Sequence, residues 1–345
     1  MHHSHTPLFL LAMLVACSQP QPGWDGVTKP PPTTETSPTT PTQTITTSTP
    51  TPTDTAPPVD TGVPVFDCAS IPITHQGERA VPGAVGYHGL AFDAYDRIVG
   101  QDNSDNLLAV DSSGNVTPWV TSLGTLEQIA FTPNGNLVVA EWSRMSTISP
   151  IGAVTTLNGS VGNVYGVVLG PDDMLYLADW SQVLRMDPNT GTVEVVVANG
   201  WAPKVVAFNH DASALFFGTI SNSGRVYRVD LDANMNPASP PTLIGSTPGS
   251  WHDGLGVDIC GNVYIAEYNN RSLYRIGVTS NQLQTVYAPS NDKYGHGLVW
   301  GTGSGGWNDH ALYLPQPYNG NTVVEIDIGV PPAGYPATPT GISPI

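Results

Sequence analysis

From residue 88 to residue 327 the chain alternates short apolar runs with polar turns. No stretch beyond residue 20 has the apolar spacing of an amphipathic helix. The runs fall into a repeating unit. An apolar run leads to a turn with Gly, Asn or Asp, then a second run, a polar loop, and a third run ending near Asp. The triplets are HGLAF, RIVGQ and NLLAVD; EQIAF, LVVAE and MSTIS; YGVVL, LYLAD and VLRMD; KVVAF, LFFGT and RVYRVD; DGLGV, VYIAE and LYRIG; HGLVW, LYLPQ and VVEID. Their first residues are His88, Glu127, Tyr165, Lys204, Asp253 and His296, spaced 39, 38, 39, 49 and 43 residues apart. That spacing predicts one four-stranded blade per unit, hence an all-β, six-bladed β-propeller of antiparallel blades over 63–335, with a tail over 336–345.

Fourth strands are expected at VTPWV (116–120), AVTTL (153–157), TVEVVV (192–197), PTLIG (241–245) and QTVYA (284–288). The sixth unit lacks one. The segment 67–74, ahead of the first unit, is expected to supply it and close the ring, leaving no open sheet edge. The glycine-rich run 301–308 (GTGSGGWN) has no helix after it, so it is read as the long turn of blade six and not as a phosphate loop.

The first 62 residues follow another pattern. An apolar run over 8–15 is too short to span a bilayer and reads as the core of a signal peptide. It ends in Leu14, Val15, Ala16 and Cys17, which resembles the lipobox of bacterial lipoproteins, although the leader carries His2, His3 and His5 in place of Lys or Arg. The resemblance implies acylation of Cys17, and Ser18 after it favours the outer membrane of a bacterial envelope. Residues 18–62 are rich in Pro and Thr, have no period and cannot bury a core, so they are read as a disordered linker. Extended at about 3.1 Å per residue, such a tether reaches at most ~120 Å. Its threonines offer acceptors for O-glycosylation.

Composition narrows the partners. The 345 residues include 11 Lys+Arg against 28 Asp+Glu, a formal net charge of -17. Phosphate-rich surfaces repel such a chain, so nucleic acid and a bare anionic membrane are excluded as partners; contact with a membrane is left to the lipid anchor. Of three cysteines, Cys68 and Cys260 remain beyond the leader. They form an even pair in an oxidising compartment, both toward the face opposite the opening residues, and are expected to form a disulfide.

In a propeller the innermost strands line the axis. The opening positions therefore converge at one end of it, the default place for a site. His88, Glu127, Asp253 and His296 could hold a divalent cation, with Asp253, His88 and His296 as the core ligands; mixed nitrogen and oxygen donors suit Zn or Mn better than Ca. The same four could be catalytic, with a histidine as general base oriented by a carboxylate, while Lys204 neutralises an anionic group. Tyr165, Lys204, His252 and Trp251 are candidate ligand contacts. The plainer reading is that these groups only meet water and neighbouring backbone. A second set, Gln101, Glu141, Asp179, Thr219, Glu267 and Gln316, ends the second strands. It reads as caps on the adjoining loops, and Trp142, Trp180 and Tyr268 follow three of its members.

The units resemble those of six-bladed propellers that include the NHL-repeat proteins and the senescence-marker-protein/gluconolactonase family. At motif level the resemblance rests on HDGLGVDICGNVYIAEYNNRSLYRIG (252–277). It implies a divalent metal held by a Glu opening blade one, an Asn opening blade four and an Asp opening blade five. The matching residues here are His88, Lys204 and Asp253, so only Asp253 is kept. Two functions follow as expectations. One is a lipid-anchored propeller binding a small molecule, glycan or protein at its polar mouth. The other is a lactone or ester hydrolase, with or without one divalent metal ion. A role as an outer-membrane assembly partner is a third.

Overall fold

The structure, a computed structural model, describes residues 66–220, 224–289 and 295–334. The expected signal peptide, Cys17, the linker and the tail lie outside these residues. Six four-stranded antiparallel sheets make up a six-bladed propeller, and the helical content of the described residues is one 3-10 turn, Cys68–Ser70. Blade one comprises Ala91–Phe92, Ile98–Gln101, Leu107–Val110 and Val116–Val120, and the next four blades repeat the pattern.

Burial explains why the runs become strands. The second strand of each blade, such as Leu137–Glu141 or Val263–Glu267, is buried throughout, because a blade is covered on both faces by its neighbours. Such a strand is continuously apolar rather than alternating. The outermost strands, such as Val116–Val120 and Val193–Val197, are largely exposed. Six apolar cores result, one between each pair of neighbouring blades. The core between blades six and one joins Leu90, Phe92 and Ile98 to Trp307, Tyr313 and Val323.

Many turns are closed by acids rather than by ion pairs. Asp102, Asp111 and Asp258 each accept the N–H groups of the residues two and four positions on, and the side-chain amide of an Asn four positions on. These clips satisfy a carboxylate without a basic partner. The hydrogen bond from the Asn115 side chain, with those from backbone N–H groups, holds Asp111 below the usual carboxylate range.

The closing strand is Gly77–Val85, not 67–74. It pairs antiparallel with Thr322–Asp327 and completes blade six, whose order is otherwise Thr322–Asp327, Ala311–Gln316 and Val299–Trp300. The segment 67–74 cannot be a strand, because Asp67 caps the 3-10 turn through the Ala69 N–H and Ser70 bonds back to the Asp67 carbonyl. The run 301–308 is the long turn of blade six and ties it to blade one: Ser304 Oγ reaches Asp96 Oδ1 and the Trp307 indole N–H donates to the Asp96 carbonyl, each at 2.5 Å.

Cys68 is bonded to Cys260 in the first turn of blade five, with Cα atoms 5.7 Å apart across 192 residues of sequence. The bond pins the segment ahead of the closing strand, while the closure itself is made by backbone pairing. Replacing both cysteines by Ser is expected to lower stability by about 2–4 kcal/mol and to leave a single cooperative unfolding transition. Urea unfolding of the two proteins, followed by far-ultraviolet circular dichroism, checks this.

Candidate functional site

Rotational repetition brings the six opening positions together around one end of the axis. His88 Nδ1 lies 2.9 Å from Glu127 Oε2. Beside Glu127, the Gln128 N–H donates to the Tyr165 carbonyl at 3.0 Å. The Tyr165 ring faces Lys204 Nζ at 4.9 Å. Lys204 Nζ bonds to Asp253 Oδ1, and Asp253 Oδ2 is 3.7 Å from His296 Nδ1. His296 stacks on His88, centroids 4.7 Å apart and planes 8° from parallel, so the circuit closes across blades six and one.

The positions next in sequence explain how the strands come so near. A Cβ on Gly254 would lie 2.6 Å from the Gly297 carbonyl carbon, and one on Gly297 would collide with the His88 carbonyl oxygen. Only glycine permits that approach. Gln128 takes the equivalent place in blade two. Its amide reaches across the axis to the carbonyls of Asp253 (2.9 Å) and His296 (3.2 Å). Gln128 thereby separates the polar mouth from a cavity further along the axis. That cavity, about 440 Å³, follows the axis away from the mouth past Leu90, Ile129, Leu255 and Leu298 to Asp309 and Pro331. The polar side chains thus lie above the septum and the open volume below it.

The charges of the mouth are organised around Lys204. It is 4 % exposed, lies 4.9 Å from the rings of both Tyr165 and Trp251, and touches Asp253, itself 3 % exposed. Burial pulls the Lys204 ammonium down toward about 7, while the Glu127 carboxylate opposes that fall. Burial, with His88 and Lys204 nearby, lowers His296 to about 2, so its imidazole is neutral at neutral pH. Burial and then Glu127 raise Tyr165.

Three sequence expectations change. His252 does not reach the mouth. It is fully buried between blades four and five, its Nδ1 accepting from the Thr219 N–H at 3.2 Å and its Nε2 2.8 Å from Thr247 Oγ1. Burial, then Lys204, lowers it to about 3, and it serves packing. The ligand set Asp253, His88 and His296 does not fit a metal ion, because one oxygen of Asp253 carries the Lys204 ammonium and His88 is turned to Glu127. No group of three His, Cys, Asp or Glu among the described residues is arranged to hold one. Tyr165 and Lys204 form the floor of the mouth rather than its open surface.

The second set caps loops. Asp179 accepts the N–H groups of Ser181 and Gln182, Glu267 those of Asn269 and Asn270, and Gln101 that of Leu126. The aromatics beside it point to the rim. Trp142 and Trp180 are 49 % and 40 % exposed, meet edge to face at 6.1 Å, and both pack on Tyr165. Both have left-handed backbones, with φ of 34° and 67°. Bulky side chains seldom adopt that region, and such strain gathers at functional sites. The rim continues through Trp251, Tyr268 and Tyr318 to Tyr87, which packs on both His88 and His296. Tyr87 and Tyr318 were not among the sequence candidates. The available signal was an aromatic one or two places beyond the second strand in blades two, three, five and six.

No family model matches the chain, and no curated protein matches it. Solved structures do. A gluconolactonase from Xanthomonas campestris superposes with a TM-score of 0.62 at 13% identity, over 74% of this chain and 89% of that one. A luciferin-regenerating enzyme gives 0.60 at 13% identity, over 74% and 97%. An auxiliary nutrient binding protein from Bacteroides thetaiotaomicron gives 0.55 at 13% identity, over 71% and 69%. At such identity the likeness establishes the six-bladed propeller and nothing finer.

The buried histidines make stability depend on pH. Below about 6.5 an unfolded chain protonates both His252 and His296, while the folded chain holds them neutral until about 3 and 2. The unfolded state then binds more protons, so stability falls on acidification through that window, by up to about 1.4 kcal/mol per pH unit for each histidine. Urea unfolding between neutral pH and pH 4.5 is expected to show this slope, and His252→Gln to reduce it. Equal slopes for the two proteins would remove His252 from the account.

Proposed function

We propose that this chain is an extracytoplasmic, lipid-anchored propeller that binds a saccharide at its aromatic-rimmed mouth. One observation carries the reading: Trp142 and Trp180 stay exposed at the rim, in strained backbone, directly above ring residue Tyr165. Exposed indoles beside a polar floor suit the C–H face of a sugar, with the hydroxyls turned to hydrogen-bonding side chains. Below the rim, His88 is half-buried with Glu127 buried beside it, and both can bond a hydroxyl that reaches them. The nutrient binding and gluconolactonase propellers that share the fold are compatible with such a ligand. The acidic chain disfavours polyanionic glycans.

A hydrolase is the second reading, favoured by the 2.9 Å contact between His88 and Glu127. A carboxylate so placed orients an imidazole for proton transfer. It requires turnover of a lactone or ester, lost in His88→Gln.

Binding is tested by calorimetry with a panel of neutral mono- and oligosaccharides. At least one is expected to bind, and Trp180→Ala to weaken it by about tenfold or more. A panel without binding, or a Trp180→Ala protein of unchanged affinity, contradicts the proposal. Anchoring is tested separately. Cells fed radiolabelled palmitate are expected to label the full chain at Cys17, and Cys17→Ala to abolish the label and shift the protein to the aqueous phase of a detergent partition.

A further inference from the structure

We infer that Lys204 is a built-in cation, filling at Asp253 the place that a divalent metal would otherwise take, so that the mouth works on neutral polar ligands without one. The inference starts from what surrounds a single buried amine. Its ammonium touches Asp253, lies 4.9 Å from the faces of both Tyr165 and Trp251, and sits in the field of Glu127. A carboxylate and two ring faces are a receptor for a positive charge. Here the charge belongs to the protein itself.

The rest of the ring is a donor set that this charge keeps from being one. Without Lys204, Asp253 would be a buried, uncompensated carboxylate with His296 Nδ1 3.7 Å from its Oδ2. His296 stacks on His88, and His88 contacts Glu127. Two imidazoles and two carboxylates are the donor types a divalent transition metal takes, but with Lys204 on Asp253 and His88 turned to Glu127 no three of them are arranged to hold one. A buried carboxylate is strongly disfavoured unless it is paired or protonated, and here Lys204 supplies the pairing charge. A metal and Lys204 therefore compete for one oxygen, and the tethered group has the advantage of a high effective concentration.

The inference rests on the mouth being the ligand site, and its test needs no sugar, so the two can fail separately. Protein stripped with chelator is titrated with Mn²⁺ and with Zn²⁺ by calorimetry, and bound metal is counted by mass spectrometry after gel filtration. Wild-type protein is expected to take up no stoichiometric metal. Lys204→Asn is expected to take up one equivalent and to melt at a higher temperature with metal than without. Asp253→Asn in that background is expected to abolish both effects. Lys204→Met, which keeps the apolar stem against Tyr165 and Trp251, serves should Lys204→Asn fail to fold, and is expected to behave alike. One equivalent bound by the wild-type chain and lost in Asp253→Asn overturns the inference. So does a folded Lys204 variant that takes up none.

Discussion

A ring of blades must close, and here it closes through backbone hydrogen bonds between the two ends of the propeller sequence. Gly77–Val85 lies against Thr322–Asp327, so the outermost strand of blade six comes from ahead of blade one. Closure does more than hide an edge. It sets blade one against blade six, joins Leu90 and Phe92 to Trp307 and Tyr313, and stacks His88 on His296 from 208 residues away. Apart from Gln128, which reaches across the axis, the other contacts of the circuit join successive blades. This one joins the first to the last, and the circuit of polar groups is complete only because the ring is.

Charge is used sparingly and with a consistent logic. Acids outnumber bases by more than two to one, yet the excess is largely absorbed at turns, where carboxylates accept backbone N–H groups and asparagine amides. At the mouth the need is different. Glu127 and Asp253 gather where water is scarce, and a buried cation meets them. Surrounding aromatic rings strengthen that cation's hold and continue outward to the rim. Floor and rim are thus one arrangement, with charge compensated at the bottom and apolar faces presented at the top.

Much of this was legible because a propeller repeats. Six apolar runs with glycine or a polar residue at fixed places located the blades and the opening residues within a few positions. What repetition could not reveal is whatever departs from it. Gly77–Val85 carries Glu78, Arg79 and Pro82 and does not read as a strand from its pattern, yet an edge strand tolerates them, and the register shifts between Ala80 and Val85, where Pro82 sits. His252 looked functional beside Asp253, but neighbouring residues on a strand point to opposite faces, and it turned into the core. Tyr87 and Tyr318 sit outside the opening positions and reach the mouth by side-chain length. The Lys204 contact with Asp253 spans two blades, and no local pattern announces it.

The most direct test is of closure itself. A chain beginning at Gly86 lacks only the closing strand and what precedes it. Compared with one beginning at Gly62, it is expected to lose cooperative unfolding and to associate through the exposed edge of Thr322–Asp327, as followed by calorimetry and light scattering. A monomeric chain from Gly86 with an unchanged melting temperature would contradict the account.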